Sequence, residues 1–454
     1  MAAFSKESAS TLDGIASRAM EKAHAPSVSL TLIKGGEVVY SKAYGARDRE
    51  NNRPATPDTL YGIGSCTKSF ICLSILQLAE EGKLSVRDPI GEYLPVDLGH
   101  DDSPITLHHL MSHGSGYPSL GTADIMIDMM SAGEGWIPMS GANDFYEFIN
   151  AARDEVDGRP GERYYYLNAG YTLLGYVVEE VSGVSLEDYL RKHVWGPLGM
   201  DRTTLLRERF DSDPDTMTAY WKQLDGSLKP TVHPFHEVIY APGGILSSTH
   251  ELVRYLEMYL GGGEHGGTRL IGGGLMEEMF KPHSRRPPNL FGENHYGYGW
   301  GVHGFRGHRL ITHTGSTGVS AAYLGFVPYL GIAVAYLSNV GYWSGAIPHS
   351  ALALLMGEDP LIAVPYLRWQ EHASKLEGTY SSYRDIFKIS VVPKGNLLYA
   401  EAKDKWMEMS LPMIPLSDDP EETEFWVYAS EGGRMKIRIE DGKLYWERWI
   451  LHKS

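Results

Sequence analysis

Residues 70–79 leave little choice of environment. Phe70, Ile71, Leu73, Ile75, Leu76, Leu78 and Ala79 spread around nearly every side of a helix before Gly82 ends it. A helix without a polar face lies inside its domain, so the rest of the chain has to wall it in. With 454 residues the chain can do so and still exceeds one ordinary core, so two domains of unequal size are expected. Directly before the helix stands Gly62-Ile63-Gly64-Ser65, at the end of an extended segment. Ser65 thus falls at the N-terminus of a buried helix, where free N–H groups and the helix dipole favour negative charge. Lys68, three residues on, faces the same side.

Ser65-Cys66-Thr67-Lys68 has the form Ser-x-x-Lys, which arises by chance about once in a chain with this much Ser and Lys. A capping serine and a surface lysine would explain the same four residues. The chemical reading is that a buried lysine near other cations loses its proton and serves as a base for the serine. Two further segments carry groups that such a serine needs. Tyr166 and Asn168, after Pro160-Gly161, lie on one side of an extended segment. A phenolate near a lysine can accept the serine proton and return it to a leaving group, and the asparagine can bind a substrate amide. His313-Thr314-Gly315-Ser316 precedes a strand that starts at Ala321. Gly315 lets a substrate backbone approach closely, and the N–H groups of Ser316 and Ser65 can form an oxyanion hole. An imidazole at 313 ordinarily titrates near neutrality, so it could hold a carboxylate as a cation or hydrogen-bond as a neutral ring.

Residues 7–23 have the pattern of an amphipathic helix. Segments 28–33 and 38–44 flank Lys34-Gly35-Gly36-Glu37 and read as a hairpin. Residues 85–200 read as helices and loops, 321–327 and 332–337 as a second hairpin, and 346–356 as a closing helix. Strands near both ends with helices between them predict an α+β domain. Around residues 360–367 the character changes to short alternating strands, among them 434–439 and 443–451. Their turns are Pro393-Lys394-Gly395-Asn396, Glu431-Gly432-Gly433 and Glu440-Asp441-Gly442. This tail of about 85 residues is expected to be all β, a small antiparallel barrel.

The net charge of −16, with no basic run, argues against nucleic acid as a partner. No stretch of 18 apolar residues exists to span a membrane. The first residues lack the features of a leader, which makes the cytoplasm the expected location. Cys66 and Cys72 would be about 9 Å apart along one helix, too far for a disulfide, and are expected to be reduced. His108, His109 and His113, with the last two four apart on a helix, could suggest a metal. So could His233, His236 and Glu237. The first set falls inside a segment with a structural reading and the second reads more readily as a loop near a cleft, neither cysteine has a metal-ligand partner at zinc spacing, and no metal or cofactor is expected.

The three motifs, in this order and spacing, resemble those of the penicillin-recognising serine hydrolases: class C β-lactamases, DD-peptidases, related esterases, D-aminopeptidases and CubicO-type peptidases. The likeness covers roughly residues 10–355. It extends from the nucleophile segment, 58–68, to Leu84-Ser85-Val86-Arg87-Asp88-Pro89, the 105–116 segment with His113-Gly114-Ser115-Gly116, Trp195-Gly196-Pro197-Leu198-Gly199, Ala241-Pro242-Gly243-Gly244 and Tyr298-Gly299-Trp300-Gly301. It implies an antiparallel sheet flanked by helices with an all-helical subdomain. It makes Ser65 the nucleophile, Lys68 and Tyr166 the proton-handling pair, and His313 part of the catalytic set. It makes the Ser65 and Ser316 amides the oxyanion hole, and Asn168, Thr314 and Gly315 substrate ligands. His313 stands where the β-lactamases carry lysine, which favours peptides over antibiotics. Leu376-Glu377-Gly378-Thr379-Tyr380 is similar to the opening of the lipocalin-like barrel of some archaeal CubicO-type peptidases. The implied domains are 1–363, catalytic, and 364–454, a barrel that can mediate self-assembly. The expected protein is a homo-oligomeric serine peptidase for short peptides, including D-residues. A carboxylesterase or β-lactamase with the same machinery is the alternative, and a catalytically silent scaffold or binding protein is the alternative of another class.

Overall fold

The computed structural model describes residues 4–100, 102–133, 139–341, 345–403, 408–428 and 433–454. The chain forms two compact units, Met1–Gly357 and Glu358–Ser454, dividing a little ahead of the boundary expected from the sequence. Among the described residues no helix is long and apolar enough to cross a membrane.

The first unit is built on an antiparallel sheet. Helix α1 (Lys6–Ala23) leads into β1 (Ser27–Lys34), β2 (Glu37–Asp48) and the short β3 (Arg53–Pro54). Six more strands come from the far end of the unit: β4 (Ser284–Asn289), β5 (Gly292–Tyr296), β6 (Gly301–Phe305), β7 (His308–Ser316), β8 (Ala321–Val327) and β9 (Ile332–Ser338). Among the described residues their order is β4-β5-β6-β7-β8-β9-β1-β2-β3. The two expected hairpins are therefore joined, with Leu30 opposite Tyr336 across β1 and β9. Every residue from Ser27 through Ile33 is buried, as is all of β8 and β9. Such strands need cover on both faces. Helices α1, α6 (Thr249–Leu260) and α7 (Ala346–Met356) supply it.

Helix α2 (Thr67–Glu80) is the buried helix of the sequence, with every residue from Thr67 through Leu78 buried. Phe70 stacks on Tyr255 of α6 with ring centroids 3.8 Å apart. Helices α4 (Asn168–Ser182) and α5 (Glu237–Gly243) pack against α2 from the helical region between the two groups of strands. Gly299, at the close of the Tyr298-to-Gly301 signature, fits against the first turn of α2 so tightly that a methyl there would lie 2.7 Å from the Lys68 carbonyl oxygen. Packing on three sides thus fixes the helix that carries Lys68.

In the histidine cluster, α3 (Leu107–Met111) ends before His113, which adopts φ 58° beyond it. The expected pair four apart on one helix is not formed. His109 caps α3 through Thr106, and His108 Nδ1 lies 2.6 Å from the Tyr298 hydroxyl.

Ahead of its strands the second unit carries a short helical turn, Pro360–Ala363, and a helix, α8 (Pro365–Leu376), where only strands were expected. Trp369, Ala373 and Leu376, spaced i, i+4 and i+7, lie along it and pack into the barrel core. The barrel is closed and antiparallel: β10 (Gly378–Ser381), β11 (Lys388–Lys394), β12 (Leu397–Lys403), β13 (Glu408–Pro415), β14 (Glu424–Tyr428), β15 (Arg434–Glu440), β16 (Lys443–Trp446) and β17 (Trp449–Lys453). Alternate residues such as Ile389, Val391, Phe425, Val427, Ile437 and Ile439 fill it. Segment 443–451, expected as one strand, folds back on itself: Trp446 pairs with Trp449, and Glu447 takes φ 50° in the turn. The turns at Gly395 and Asp441-Gly442 form as expected. The turn expected at Glu431-Gly432-Gly433 lies outside the described residues.

Candidate active site

Ser65 sits in a single 3-10 turn, Gly64–Cys66, that runs into α2. Lys68, 0% exposed, points back at it. Its Nζ lies 2.6 Å from the Pro242 carbonyl oxygen, 2.8 Å from Asn168 Oδ1 and 3.0 Å from Ser65 Oγ. Burial drives its pKa from the ordinary lysine range down to about 7. The cause is loss of solvent, not the neighbouring cations that the sequence suggested. The oxygens of Pro242 and Asn168 can only accept hydrogen bonds. The neutral amine therefore spends its two N–H groups on them and turns its lone pair to the Ser65 hydroxyl.

Tyr166 completes this end of the site. Its ring centre lies 4.9 Å from Lys68 Nζ, and its hydroxyl is hydrogen-bonded with Ser65. Burial raises the phenol well above its ordinary range. Tyr166 is a protonated phenol here, not the phenolate expected from the sequence.

Two backbones meet beside Ser65. A methyl on Gly315 of β7 would lie 2.0 Å from the Ile63 carbonyl oxygen and 2.8 Å from the Ser65 nitrogen. One on Gly64 would lie 2.4 Å from the Ser316 nitrogen. Only glycine permits this approach, and it brings the Ser65 and Ser316 amides together. Gly64 also takes φ 51°, a conformation that suits glycine.

His313 is buried at 7% exposure. Its Nδ1 lies 2.6 Å from the Thr314 carbonyl oxygen and its Nε2 2.9 Å from the Tyr296 hydroxyl. The carbonyl only accepts, so Nδ1 carries the proton and Nε2 accepts from Tyr296. Burial, joined by the charges of Lys68 and Arg286, lowers the pKa of His313 to about 3. The ring is neutral from pH 5 to 8, which removes its reading as a cation that holds a carboxylate.

A cleft of about 740 Å³ joins Ser65, Tyr166, Asn168, His313, Thr314, Gly315 and Ser316. Four participants escaped the sequence reading. Pro242 belongs to a quoted signature, but only its carbonyl matters, and a carbonyl leaves no mark in a sequence. His113 lies in another signature; its Nδ1 accepts the Leu167 N–H at 3.1 Å and its ring packs 4.2 Å from that of Tyr166. Tyr296 orients His313. Arg286 lines the cleft, touching the ring faces of Tyr164 and Tyr296 at 5.5 and 5.7 Å. Among the described residues no carboxylate pairs with its guanidinium. Of the second histidine set, His236 caps α5 through the Val238 N–H, and Pro234, beside His233, reaches the cleft.

Fold and site together define the class as that of the β-lactamase-fold family, whose members are serine hydrolases. Residues 12–356 match the Beta-lactamase family, and the chain belongs to it. Residues 360–452 match the Pab87 octamerisation domain. The octameric penicillin-binding protein homologue from Pyrococcus abyssi is 37% identical over 98% of this chain and 100% of its own, with a TM-score of 0.91. The D-amino acid amidase from Ochrobactrum anthropi, 22% identical over 78% of this chain and 98% of its own, shares the fold at a TM-score of 0.62. Protein flp of Staphylococcus aureus (strain MW2) is 29% identical over 261 residues, 57% of this chain and 50% of its own. The chain spans about half the length of the curated relatives it matches.

The two pKa values predict distinct titrations. Carbon-13 NMR of labelled lysine should show Lys68 titrating near pH 7. His313 ring signals should stay flat from pH 5 to 8. The unfolded chain keeps its Lys68 proton up to about pH 10.4, so it binds more protons than the native state above pH 7, and Lys68 makes stability rise with pH there. A Lys68 that keeps its proton well above pH 8 would contradict the burial argument.

Proposed function

We propose that the protein is a serine peptidase of the Ser-Lys-Tyr type that cleaves short peptides, including those with D-residues, through an acyl-enzyme on Ser65. The observation that carries this reading is the environment of Lys68, whose Nζ is held by two fixed acceptors, Asn168 Oδ1 and the Pro242 carbonyl, within 3.0 Å of Ser65 Oγ, so that its neutral form can turn a lone pair to that hydroxyl. As Oγ attacks the substrate carbonyl carbon, Lys68 takes its proton. The oxyanion forms between the N–H groups of Ser65 and Ser316, which need no reorganisation to receive it. Tyr166, a phenol beside Ser65, gives its proton to the leaving amine and regains one from Lys68. Water then enters, loses a proton to the same pair and releases the acid. Asn168 and the Thr314-Gly315 edge hold the substrate backbone.

Two features favour peptides over β-lactams. His313 replaces the lysine of the β-lactamases and is neutral. The cation along the open cleft is instead Arg286, which among the described residues has no carboxylate partner and suits the free carboxylate of a short peptide. The name of the D-amino acid amidase points the same way. For the barrel unit, the match to an octamerisation domain and the octameric relative support assembly into a homo-oligomer.

A fluorophosphonate should label Ser65, and Ser65→Ala should lower turnover of paired L- and D-aminoacyl amides by about 10⁴-fold or more. An adduct on another residue, with Ser65→Ala still active, would remove Ser65 from the mechanism. Peptides with free and amidated C-termini test the cation. Wild type should favour the free acid, and Arg286→Gln should cut that preference in kcat/KM about tenfold. The same preference in both proteins would assign Arg286 to structure. Light scattering of the full chain should give a mass that is a multiple of 50.4 kDa. A monomer at every micromolar concentration would rule out assembly.

A further inference from the structure

The cleft does not end at the reacting groups. Beyond Thr314 its wall is made of rings: Phe291, His303, Tyr323 and His349 all line it. Neighbouring rings touch in sequence, His303 to Phe291 at 5.9 Å and 6° between planes, Phe291 to His349 at 4.8 Å, and His349 to Tyr323 at 5.4 Å. They form an arc rather than a closed stack. Phe305, 1% exposed, backs it at 5.1 Å from Phe291 and 5.8 Å from His349. The arc is tied to the site by strand register, since Tyr323 of β8 pairs with Thr314 of β7. Phe291 and the exposed Leu290, at 69%, sit at the turn between β4 and β5, the two strands that carry Arg286 and Tyr296.

We infer that this arc is a substrate subsite for an aromatic or large apolar side chain, on the residue bound beside Thr314 and next to the Arg286 guanidinium. Three observations support it. A wall of ring faces and edges on an open cleft offers stacked and edge-to-face contacts to an incoming ring. Both histidines in it are neutral at physiological pH, lowered by burial to about 4, so they act as aromatic surface and not as charges. Asn294, opposite both Arg286 and His303 in the strand register, is 8% exposed, lines the same cleft, and its Oδ1 has no hydrogen-bond partner among the described residues. A buried acceptor of that kind calls for a donor, and the backbone N–H of a bound residue would supply one. A cleft lined by rings with a few convergent polar groups is the usual make-up of a side-chain pocket.

This inference rests on the peptidase reading, so its test separates the two. Matched acyl-dipeptides that differ only in alanine or phenylalanine, on either side of the scissile bond and in both configurations, are titrated into the Ser65→Ala protein by calorimetry. They are also assayed with the wild type. The phenylalanine peptide should bind at least tenfold tighter in one of the positions, with kcat/KM raised to match. Phe291→Ala should cut that phenylalanine-to-alanine ratio about tenfold, and Phe291→Leu should restore part of it. Phe291 is half-buried at a strand turn, which makes both variants suitable for folding. Equal binding of the paired peptides, or a ratio unmoved by Phe291→Ala, overturns the subsite. Selective binding without hydrolysis by wild type upholds the subsite and sinks the peptidase reading instead.

Discussion

The site depends on a lysine kept out of water. An ammonium buried in this way is costly unless it is paired with an opposite charge, and Lys68 has only neutral oxygens around it. The protein therefore shifts the equilibrium toward the free amine, and the same burial that would penalise the charge produces a base. Every element near α2 contributes to that condition. Helix α4 brings Asn168, α5 brings the Pro242 carbonyl, and Gly299 lets its own loop close against the Lys68 backbone. Loosening any of these contacts would admit water and return the amine toward its ordinary range.

The remaining polar groups follow from that arrangement. Burial disfavours the charged forms of Tyr166 and His313 as it does that of Lys68, which near pH 7 is divided between ammonium and free amine. In its free-amine form the site can move one proton among Ser65, Lys68 and Tyr166 without building up charge that the protein would have to solvate. Arg286 stands apart because it lies along the open cleft, where solvent supports its charge. Proton handling and charge recognition are thereby separated in space.

Much of this architecture was legible in the sequence. The buried helix, both hairpins, the closing helix and the barrel each followed from periodicity and turn residues, and Ser65, Lys68, Tyr166, Asn168 and His313 were found at helix starts and strand ends where side chains can converge. Errors came where a pattern had two readings. Helix α8 carries its apolar residues at Trp369, Ala373 and Leu376, too sparse to stand out beside the strands that follow. Segment 443–451 is rich in strand-forming aromatic and apolar residues, and nothing in Glu447-Arg448 announces a tight turn in the way Asp441-Gly442 does. The site's finer chemistry was hidden for another reason. The Pro242 carbonyl is a backbone group, and the protonation of Tyr166 and His313 is set by burial, which residue identity alone does not convey.

The meeting of Gly64 with Gly315 has a consequence for how such a protein can change. The paired amides of Ser65 and Ser316 belong to the main chain, so no exchange of side chain at either position would remove them, and any side chain at 64 or 315 would force the two segments apart. On the proposed mechanism, this pair of amides is inherited as a unit or lost as a unit. Variation has to fall instead on the hairpin formed by β4 and β5, which borders the cleft but lies outside that junction. New substrates would then arise from replacements along this hairpin, as in a tool that keeps its jaw and exchanges its grip.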